Sequence, residues 1–342
     1  MTDRSDLPGR YRALVVAGTN GPGPATRTVR ELGPADLPAG DVLVRVEWSS
    51  VNFKDGLAAT ADGRVARVSP LVPGVDLAGT IVAAANTSAD PRLAPGRPVL
   101  AHGYDIGTSV SGGFAEFARL PAGWIVPLPD ALTTREAMAI GTAGFTAASA
   151  VLAIEDRGLQ PGDGPVVVTG ASGGLGRTAV DILAARGHEV WAATGKPGEA
   201  ERLRALGASG VIGREEVSGE GRPLESARWA AAIDTVGAPT LPAILRTLRI
   251  DGTVVACGNA GGAAFSTTVY PFILRGVALL GMDSAAMAIE PRRALWARLA
   301  TDLRPTHLGE DLTEVDLDGL LDALDAIVAG AARGRWIVRI GG

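Results

Sequence analysis

Alternating hydrophobic and polar positions characterise the first third of the chain. Segment 41–48 carries a valine or tryptophan at every second position from Val42 onward, a period of two that predicts a half-buried β-strand. Glycine and proline turns separate it from further short apolar runs. Such runs favour a small β-barrel over residues 11–128, with additional strands predicted at 11–16, 79–84, 97–101, 113–118 and 124–126.

From residue 129 onward, strand-like and helix-like patterns alternate. A valine-rich run at 165–169 enters a glycine cluster and then a helical pattern at 177–187; further strands are predicted at 189–193, 210–212, 230–233 and 252–257. This alternation predicts an α/β fold with a Rossmann-type, doubly wound parallel sheet. The last segment resembles a return to the first module, so two domains are predicted, 1–128 with 276–342, and 129–275.

The glycine cluster indicates a phosphate-binding turn. Gly170, Gly173, Gly174 and Gly176 permit a tight turn and close backbone approach to a pyrophosphate at the following helix N-terminus. The same letters also fit the fingerprint of short-chain dehydrogenases. Against that alternative, the turn lies mid-chain behind a β module, and no tyrosine of the chain has a lysine four residues later.

Composition narrows the partners. A net charge of −5 and a pI of about 5.4 argue against nucleic acid and anionic membranes. The single cysteine, Cys257, excludes an intrachain disulfide and favours a reducing, cytoplasmic setting. Only Lys54 and Lys196 are lysines among 32 basic residues, so both invite a functional interpretation.

Two segments bear on membranes and secretion. The first residues of the chain contain no apolar stretch of the kind found in secretory signals. Residues 137–154 form an uncharged run of membrane-spanning length. Since alanine, glycine, threonine and serine make up most of this run, it predicts a closely packed buried helix, and no membrane segment is expected.

Five longer motifs resemble the medium-chain dehydrogenase/reductase superfamily, and within it the zinc-free, quinone-oxidoreductase-like branch of NADPH-dependent acryloyl-CoA reductases. They are Trp48–Asp55, Pro73–Gly79, Ile140–Thr146, Ala232–Gly237 and Tyr270–Arg275. The resemblance implies a GroES-like β-barrel catalytic domain beside the Rossmann domain and reduction of acryloyl-CoA to propionyl-CoA. It also implies a homodimer in which the strand at 277–282 pairs across the interface.

The end of the second predicted strand bears on the cofactor. NAD enzymes place a carboxylate there, but this chain has Thr194, Gly195 and Lys196, where the family usually has Ser-Gly-Arg. A hydroxyl, a backbone N–H and a cation suit a 2′-phosphate, so NADPH is expected. The remaining cofactor candidates, partly from the resemblance, are Thr142, Ser172, Gly173, Gly174, Leu175, Gly176, Asn259 and Ser284.

No metal site is expected. Zinc-dependent members of the superfamily bind catalytic zinc with a cysteine and a His-Glu pair, whereas the matching pair here is Val75-Asp76. One cysteine and three scattered histidines offer no ligand spacing. Polarisation of a substrate must therefore come from hydrogen bonds or from cofactor hydroxyls.

Reduction of an activated alkene requires a hydrogen-bond donor for the developing enolate oxygen and a proton for the α-carbon. Asn52, Lys54 and Asp55 are the catalytic candidates, although Asp55 would also suit a helix cap and Lys54 an exposed loop charge. Many relatives have tyrosine at the position of Phe53. The candidates for substrate contacts are Phe53, Arg67 and Tyr104, with Arg67 facing coenzyme A phosphates.

Two other functions stay open at this point. The same hydride chemistry would reduce quinones or simple enones, and an NADPH-binding sensor with little turnover would keep the glycine turn. Thr142 and Asn52 favour catalysis, because a sensor tolerates their loss.

Overall fold

The computed structural model describes residues 9–19, 24–85 and 90–341; the absence of a signal sequence predicted for the N-terminus concerns residues that lie mostly outside this range. The chain forms two compact units. The first unit comprises residues 1–142, 285–301 and 309–342, and the second comprises 143–284 and 302–308. The domain limits predicted from the sequence, 128/129 and 275/276, stay a prediction beside this division.

The strands are, in chain order, β1 (Tyr11–Ala17), β2 (Thr26–Leu32), β3 (Val42–Ser50), β4 (Asp76–Ala84), β5 (Pro98–His102), β6 (Phe117–Leu120), β7 (Val126–Pro127), β8 (Val166–Thr169), β9 (Val190–Thr194), β10 (Gly210–Gly213), β11 (Trp229–Asp234), β12 (Leu248–Ala256), β13 (Ala278–Gly281), β14 (Leu312–Asp316) and β15 (Arg335–Arg339). The α-helices are α1 (Phe53–Ala58), α2 (Thr134–Asp156), α3 (Gly174–Ala185), α4 (Ala200–Ala205), α5 (Thr240–Thr247), α6 (Tyr270–Arg275), α7 (Ile289–Leu299) and α8 (Leu320–Val328).

The first unit is built on a seven-stranded sheet. Its order is β14-β15-β3-β4-β5-β7, with β6 also paired to β3, and a separate antiparallel pair joins β1 to β2. The valines of β3 are fully buried and belong to the core of this unit, as their period of two predicts. Strands β3, β4 and β5 pair antiparallel, which aligns the carboxyl end of β3 with the amino end of β4.

The second unit contains a six-stranded parallel sheet in the order β10-β9-β8-β11-β12-β13. The strand order reverses between β8 and β11, which is the topological switch point of a doubly wound sheet, where ligands bind beyond the carboxyl ends of the strands. All four residues of β8 are buried, as expected for a strand covered on both faces. The predicted α/β class, a Rossmann-type sheet plus a second β domain, is confirmed.

Helix α2 has the length and apolarity to cross a membrane, but 78% of its most apolar window is buried within the protein. The predicted buried helix over 137–154 is therefore confirmed. Its regular geometry breaks at Gly141, where φ is 52° and ψ is −164°. Only the lack of a side chain makes such a conformation readily accessible.

Candidate active site

The glycine turn of the second unit joins β8 to α3, which starts at Gly174 with Gly173 as its N-cap. Gly170 has a φ of 58°, and a Cβ there would overlap Thr235 Oγ1. A Cβ on Gly176 would overlap the carbonyl oxygen of Gly170. Both positions therefore exclude any side chain, and the turn stays narrow enough for its backbone to approach a phosphate.

The buried carboxylate of Asp234 fixes the strand end from which this turn begins. Asp234, at the end of β11, accepts hydrogen bonds from Thr169 Oγ1 at 2.6 Å and from the N–H of Gly237 at 2.8 Å. Thr235 Oγ1 donates to the carbonyl of Thr169 at 2.9 Å. Burial raises the pKa of Asp234, and the hydrogen bonds from Thr169 and Gly237 oppose that rise. The ends of β8 and β11 are thereby locked together, a role that the sequence reading did not assign.

The end of β9 presents a hydroxyl and two cations. Thr194 Oγ1 donates to Ser172 Oγ at 3.0 Å and accepts from the N–H of Lys196 at 3.1 Å. One hydroxyl therefore connects the glycine turn to residues 194–196, which we call the Thr194 turn. Arg214, just after the adjacent strand β10, lies across Gly195: a Cβ there would come 3.0 Å from Arg214 Cδ and 3.2 Å from its Nε. Sequence reasoning missed Arg214, because its nearness follows from the parallel β9/β10 register.

The other cofactor candidates of the second unit differ in position and in exposure to solvent. Leu175 is in the first turn of α3, and Asn259 is exposed beyond the carboxyl end of β12. Ser284 is buried, and its hydroxyl lies 2.7 Å from that of Thr146. The glycine turn, the Thr194 turn and Asn259 thus share the carboxyl edge of one sheet.

In the first unit, the segment 52–55, which carries the three catalytic candidates, forms the start of α1. Asn52 is the N-cap, and its backbone N–H donates to Asp55 Oδ2 at 2.8 Å. Asp55 Oδ1 accepts from the N–H of Val75 at 2.8 Å, which ties the loop to the residue before β4. The Asn52 amide also faces inward, donating to Asp55 and Asp76 and accepting from Arg335. Asn52 and Asp55 are therefore placed to orient this loop.

Two carboxylates share this buried network. Asp55 and Asp76 are both fully buried, and Arg335 from β15 lies 3.7 Å from Asp76. Burial, and then the charge of Asp76, raise the pKa of Asp55 to about 7, while hydrogen bonds from Asn52 and Val75 oppose the rise. Two acids and one cation in a dry site thus leave Asp55 poised between its charged and neutral forms near neutral pH.

The remaining candidates of the first unit lie at its surface. Lys54 and Phe53 are exposed on the first turn of α1. Arg67 Nη1 is 3.1 Å from Asp105 Oδ1, a salt bridge between two exposed side chains. These positions leave Lys54, Phe53 and Arg67 accessible to a ligand, whereas Asn52 and Asp55 are not.

The ring of Tyr104 contacts Trp124 and Arg292. Its ring lies parallel to that of Trp124, with centroids 5.1 Å apart, and the guanidinium of Arg292 lies 4.4 Å from the ring centroid. Buried Arg292 also donates to the carbonyls of His102, Ala285 and Met287. Both faces of the ring are covered, so a substrate can meet Tyr104 only at its edge or hydroxyl.

Among the residues that the structure describes, no three His, Cys, Asp or Glu side chains are grouped so as to hold a metal ion. Asp76 belongs to the pair that matches the His-Glu pair of zinc-dependent members of the superfamily. Its carboxylate accepts hydrogen bonds from Ser50 and Asn52. Buried His102 accepts a hydrogen bond from Trp296 at 2.9 Å, and burial, with a contribution from Arg292, lowers the pKa of its ring well below the ordinary value.

Comparison with known proteins gives the family. The profile of the alcohol dehydrogenase GroES-like domain matches residues 38–130, and that of the zinc-binding dehydrogenase matches residues 174–300. The protein named acrylyl-CoA reductase AcuI from Ruegeria pomeroyi is 44% identical over 331 residues, covering 96% of this chain and 99% of the relative. The chain belongs to the medium-chain dehydrogenase/reductase superfamily. The family predicted from the five motifs is confirmed.

Other members of this superfamily carry different names. YhfP of Bacillus subtilis, which bears a quinone oxidoreductase name, is 44% identical over 91% of this chain and 94% of its own length. The solved yhdH oxidoreductase of Salmonella enterica, in complex with NADP, matches with a TM-score of 0.91 and 45% identity, over 96% of this chain and all of that one. A solved structure of YhfP has NAD bound, with the same TM-score and 42% identity, over 97% of this chain and all of that one.

Proposed function

We propose that this chain is an NADPH-dependent reductase of small α,β-unsaturated CoA thioesters, converting acryloyl-CoA to propionyl-CoA. The observation that carries the proposal is the near full-length similarity to a relative named acrylyl-CoA reductase. The intact glycine turn and the absence of a carboxylate at the end of β9 support it, because a dinucleotide with a 2′-phosphate fits both.

NADPH supplies, when bound, the hydride that adds to Cβ of the substrate. As the hydride adds, the π electrons of the double bond shift toward the thioester carbonyl, whose oxygen carries the charge of the resulting enolate, and a proton from water then adds to Cα. Lys54 is the accessible charged side chain of the three catalytic candidates, so we assign it the stabilisation of that oxygen. Asn52 and Asp55 orient the loop that presents Lys54 and Phe53. Lys54→Gln should therefore lower kcat more than it raises the KM for NADPH.

Substrate contacts are assigned to the surface of the first unit. Arg67 is exposed enough to exchange Asp105 for a phosphate of coenzyme A. Phe53 supplies an apolar contact, since its side chain is exposed on α1. The Tyr104 hydroxyl is assigned to the polar part of the substrate because both faces of its ring are covered.

A homodimer is part of the proposal. Helix α6 and the residue before it expose four large apolar side chains, Val269, Tyr270, Ile273 and Leu274, the least exposed of them at 47%. Strand β13 is an edge strand of the parallel sheet, and among the described residues no strand pairs with its outer side. A second copy would cover both features. Light scattering should give a dimer mass for the native chain and a monomer mass for Leu274→Glu, with Val68→Glu as the exposed-apolar control.

A cytoplasmic location is proposed on the chemistry of the one thiol. Burial raises the pKa of Cys257 to about 12, and the sequence has no second cysteine with which it could form an intrachain disulfide. Fractionation of cells expressing the chain should recover it with cytoplasmic markers.

The alternative activity is reduction of quinones, which the name of YhfP favours. Steady-state kinetics with NADPH and acryloyl-CoA, a small enone or a quinone separate the two. We expect the highest kcat/KM with acryloyl-CoA. Turnover of quinones alone would contradict the proposed substrate class.

A further inference from the structure

The break in helix α2 coincides with a buried ion pair. At Gly141 the backbone leaves the helical range of φ and ψ, so the segment before the break ends in carbonyl groups and the segment after it begins with N–H groups, as at two helix termini. Such groups need partners when they are buried. Asp76 and Arg335 supply them.

Arg335 serves the carbonyl side of the break. Its Nε donates to the carbonyl of Ala139 at 3.2 Å, and its Nη2 lies 3.4 Å from the carbonyl of Met138. A Cβ at Gly141 would overlap Arg335 Nη2, so the guanidinium occupies the space that any other residue would fill. A cation at the C-terminal end of a helical segment also complements the dipole of that segment.

Asp76 serves the N–H side. Its Oδ2 accepts from the N–H of Thr142 at 2.9 Å, the first such group after the break, and from the Asn52 amide at 3.1 Å. Ser50 Oγ bridges the pair, lying 2.6 Å from Asp76 Oδ2 and 2.5 Å from Arg335 Nη2. Asp76 and Arg335 are at most 4% exposed, and desolvation of such a pair is offset only by hydrogen bonds as complete as these.

We propose that Asp76 and Arg335 are positioning residues that hold α2 open at Gly141 and so fix the backbone of Thr142 and the amide of Asn52. The inference rests on the proposed function, in which Asn52 orients the catalytic loop, and on the cofactor contact predicted for Thr142 from the sequence. Both side chains are at most 4% exposed, so in this proposal they act through the segments that they hold. Arg335 acts on segments of the first unit that lie far from it in the sequence, Ala139 at a separation of 196 residues and Asn52 at 283.

Conservative variants test this role. In Arg335→Lys the charge stays, but one ammonium cannot serve Ala139, Asn52 and Ser50 together. Asp76→Asn places an NH₂ group against donors that now face a carboxylate oxygen. Ser50→Ala removes the bridge and one hydrogen bond of the Asn52 amide but leaves both charges in place, so it should give a smaller effect. Arg339→Lys, an exposed arginine on the same strand, is the matched control.

The readouts are amide hydrogen exchange of the peptide 138–146 without ligand, the Kd for NADPH by fluorescence, and kcat/KM. We expect Arg335→Lys and Asp76→Asn to speed exchange at least about 10-fold and to lower kcat/KM roughly 100-fold, with a raised Kd and no change in Arg339→Lys. Unchanged exchange and Kd would overturn the inference. Unfolding of both variants would also contradict it, because it would indicate a purely structural pair.

Failure of the proposed function gives a different result. If the native chain binds NADPH but does not reduce acryloyl-CoA, while Arg335→Lys still speeds exchange of 138–146 and weakens NADPH binding, the substrate assignment is wrong and the positioning role stands.

Discussion

The two candidate regions differ in the groups that form them: backbone groups in the second unit and charged side chains in the first. The cofactor edge of the second unit consists mainly of backbone: glycines without side chains, a helix N-terminus and one connecting hydroxyl. The network of the first unit consists of buried charged side chains, Asp55, Asp76 and Arg335, from three distant segments. Backbone sites tolerate no added atom, whereas side-chain networks tolerate no lost charge.

The largest effect is expected where an atom is added to the backbone site. Gly176→Ala puts a Cβ against the Gly170 carbonyl, so the turn must open and the phosphates lose their donors. We expect the Kd for NADPH to rise at least about 100-fold, equivalent to about 2.7 kcal/mol. Gly123→Ala, at an exposed glycine whose Cβ would meet nothing within 4 Å, is the control. Equal affinities in both variants would show that the turn does not hold the cofactor.

Replacing the titrating carboxyl group of Asp55 should change how the stability of the chain depends on pH. The pKa of Asp55 is raised from its ordinary 3.8 to about 7, so the folded chain holds a proton that the unfolded chain has released. Asp76 and Arg335 are the charged groups facing it. Its contribution to the free energy of unfolding is therefore full below pH 4 and is lost as pH rises to about 7, by on the order of a few kcal/mol.

Urea unfolding of the native chain and of Asp55→Asn, from pH 4 to 8, measures this difference, because asparagine does not titrate. The stability of the native chain relative to Asp55→Asn should fall through this range and level off above pH 7. Asp62→Asn, at an exposed carboxylate, is the matched control and keeps Asp55, so it should follow the native chain. A relative stability that rises with pH would refute the assignment.

Removing a cation from the cofactor edge should have a smaller and selective effect. Lys196→Ala and Arg214→Ala each lose one charge beside the Thr194 turn. Each should raise the KM for NADPH roughly 10-fold and leave that for NADH nearly unchanged. Arg222→Ala, an exposed arginine, should change neither KM. Parallel changes for both cofactors would argue against a 2′-phosphate at this turn.

The smallest effect is expected at the surface of the first unit. Arg67→Ala removes one exposed charge, already shared with Asp105. The KM for acryloyl-CoA should rise only about 2- to 5-fold at low salt, and the difference should shrink at high salt. The KM for an enone without coenzyme A should not respond. An equal response of both substrates would remove Arg67 from the CoA contact.

The same contrast explains what the sequence predicts. The glycine turn, β8, α3 and the end of β9 are local features of one βαβ unit, so periodicity and glycine placement suffice to predict them. Strand β2 was not predicted, because its half-exposed residues carry a weak pattern. Arg335 and Arg214 were missed, since only strand register brings each beside its partners. No local pattern distinguishes a buried arginine from the many exposed ones.

The proposed hydride transfer from NADPH to Cβ of acryloyl-CoA is tested by following a deuterium label from the cofactor into the product. The native chain would be incubated with acryloyl-CoA and NADPH deuterated at C4 of the nicotinamide on one face at a time, and the propionyl-CoA analysed by NMR. We predict deuterium at Cβ of propionyl-CoA when one face of the nicotinamide is labelled and not when the other is, with no deuterium at Cα. Unlabelled propionyl-CoA from both cofactors, deuterium at Cα, or no propionyl-CoA at all would contradict it.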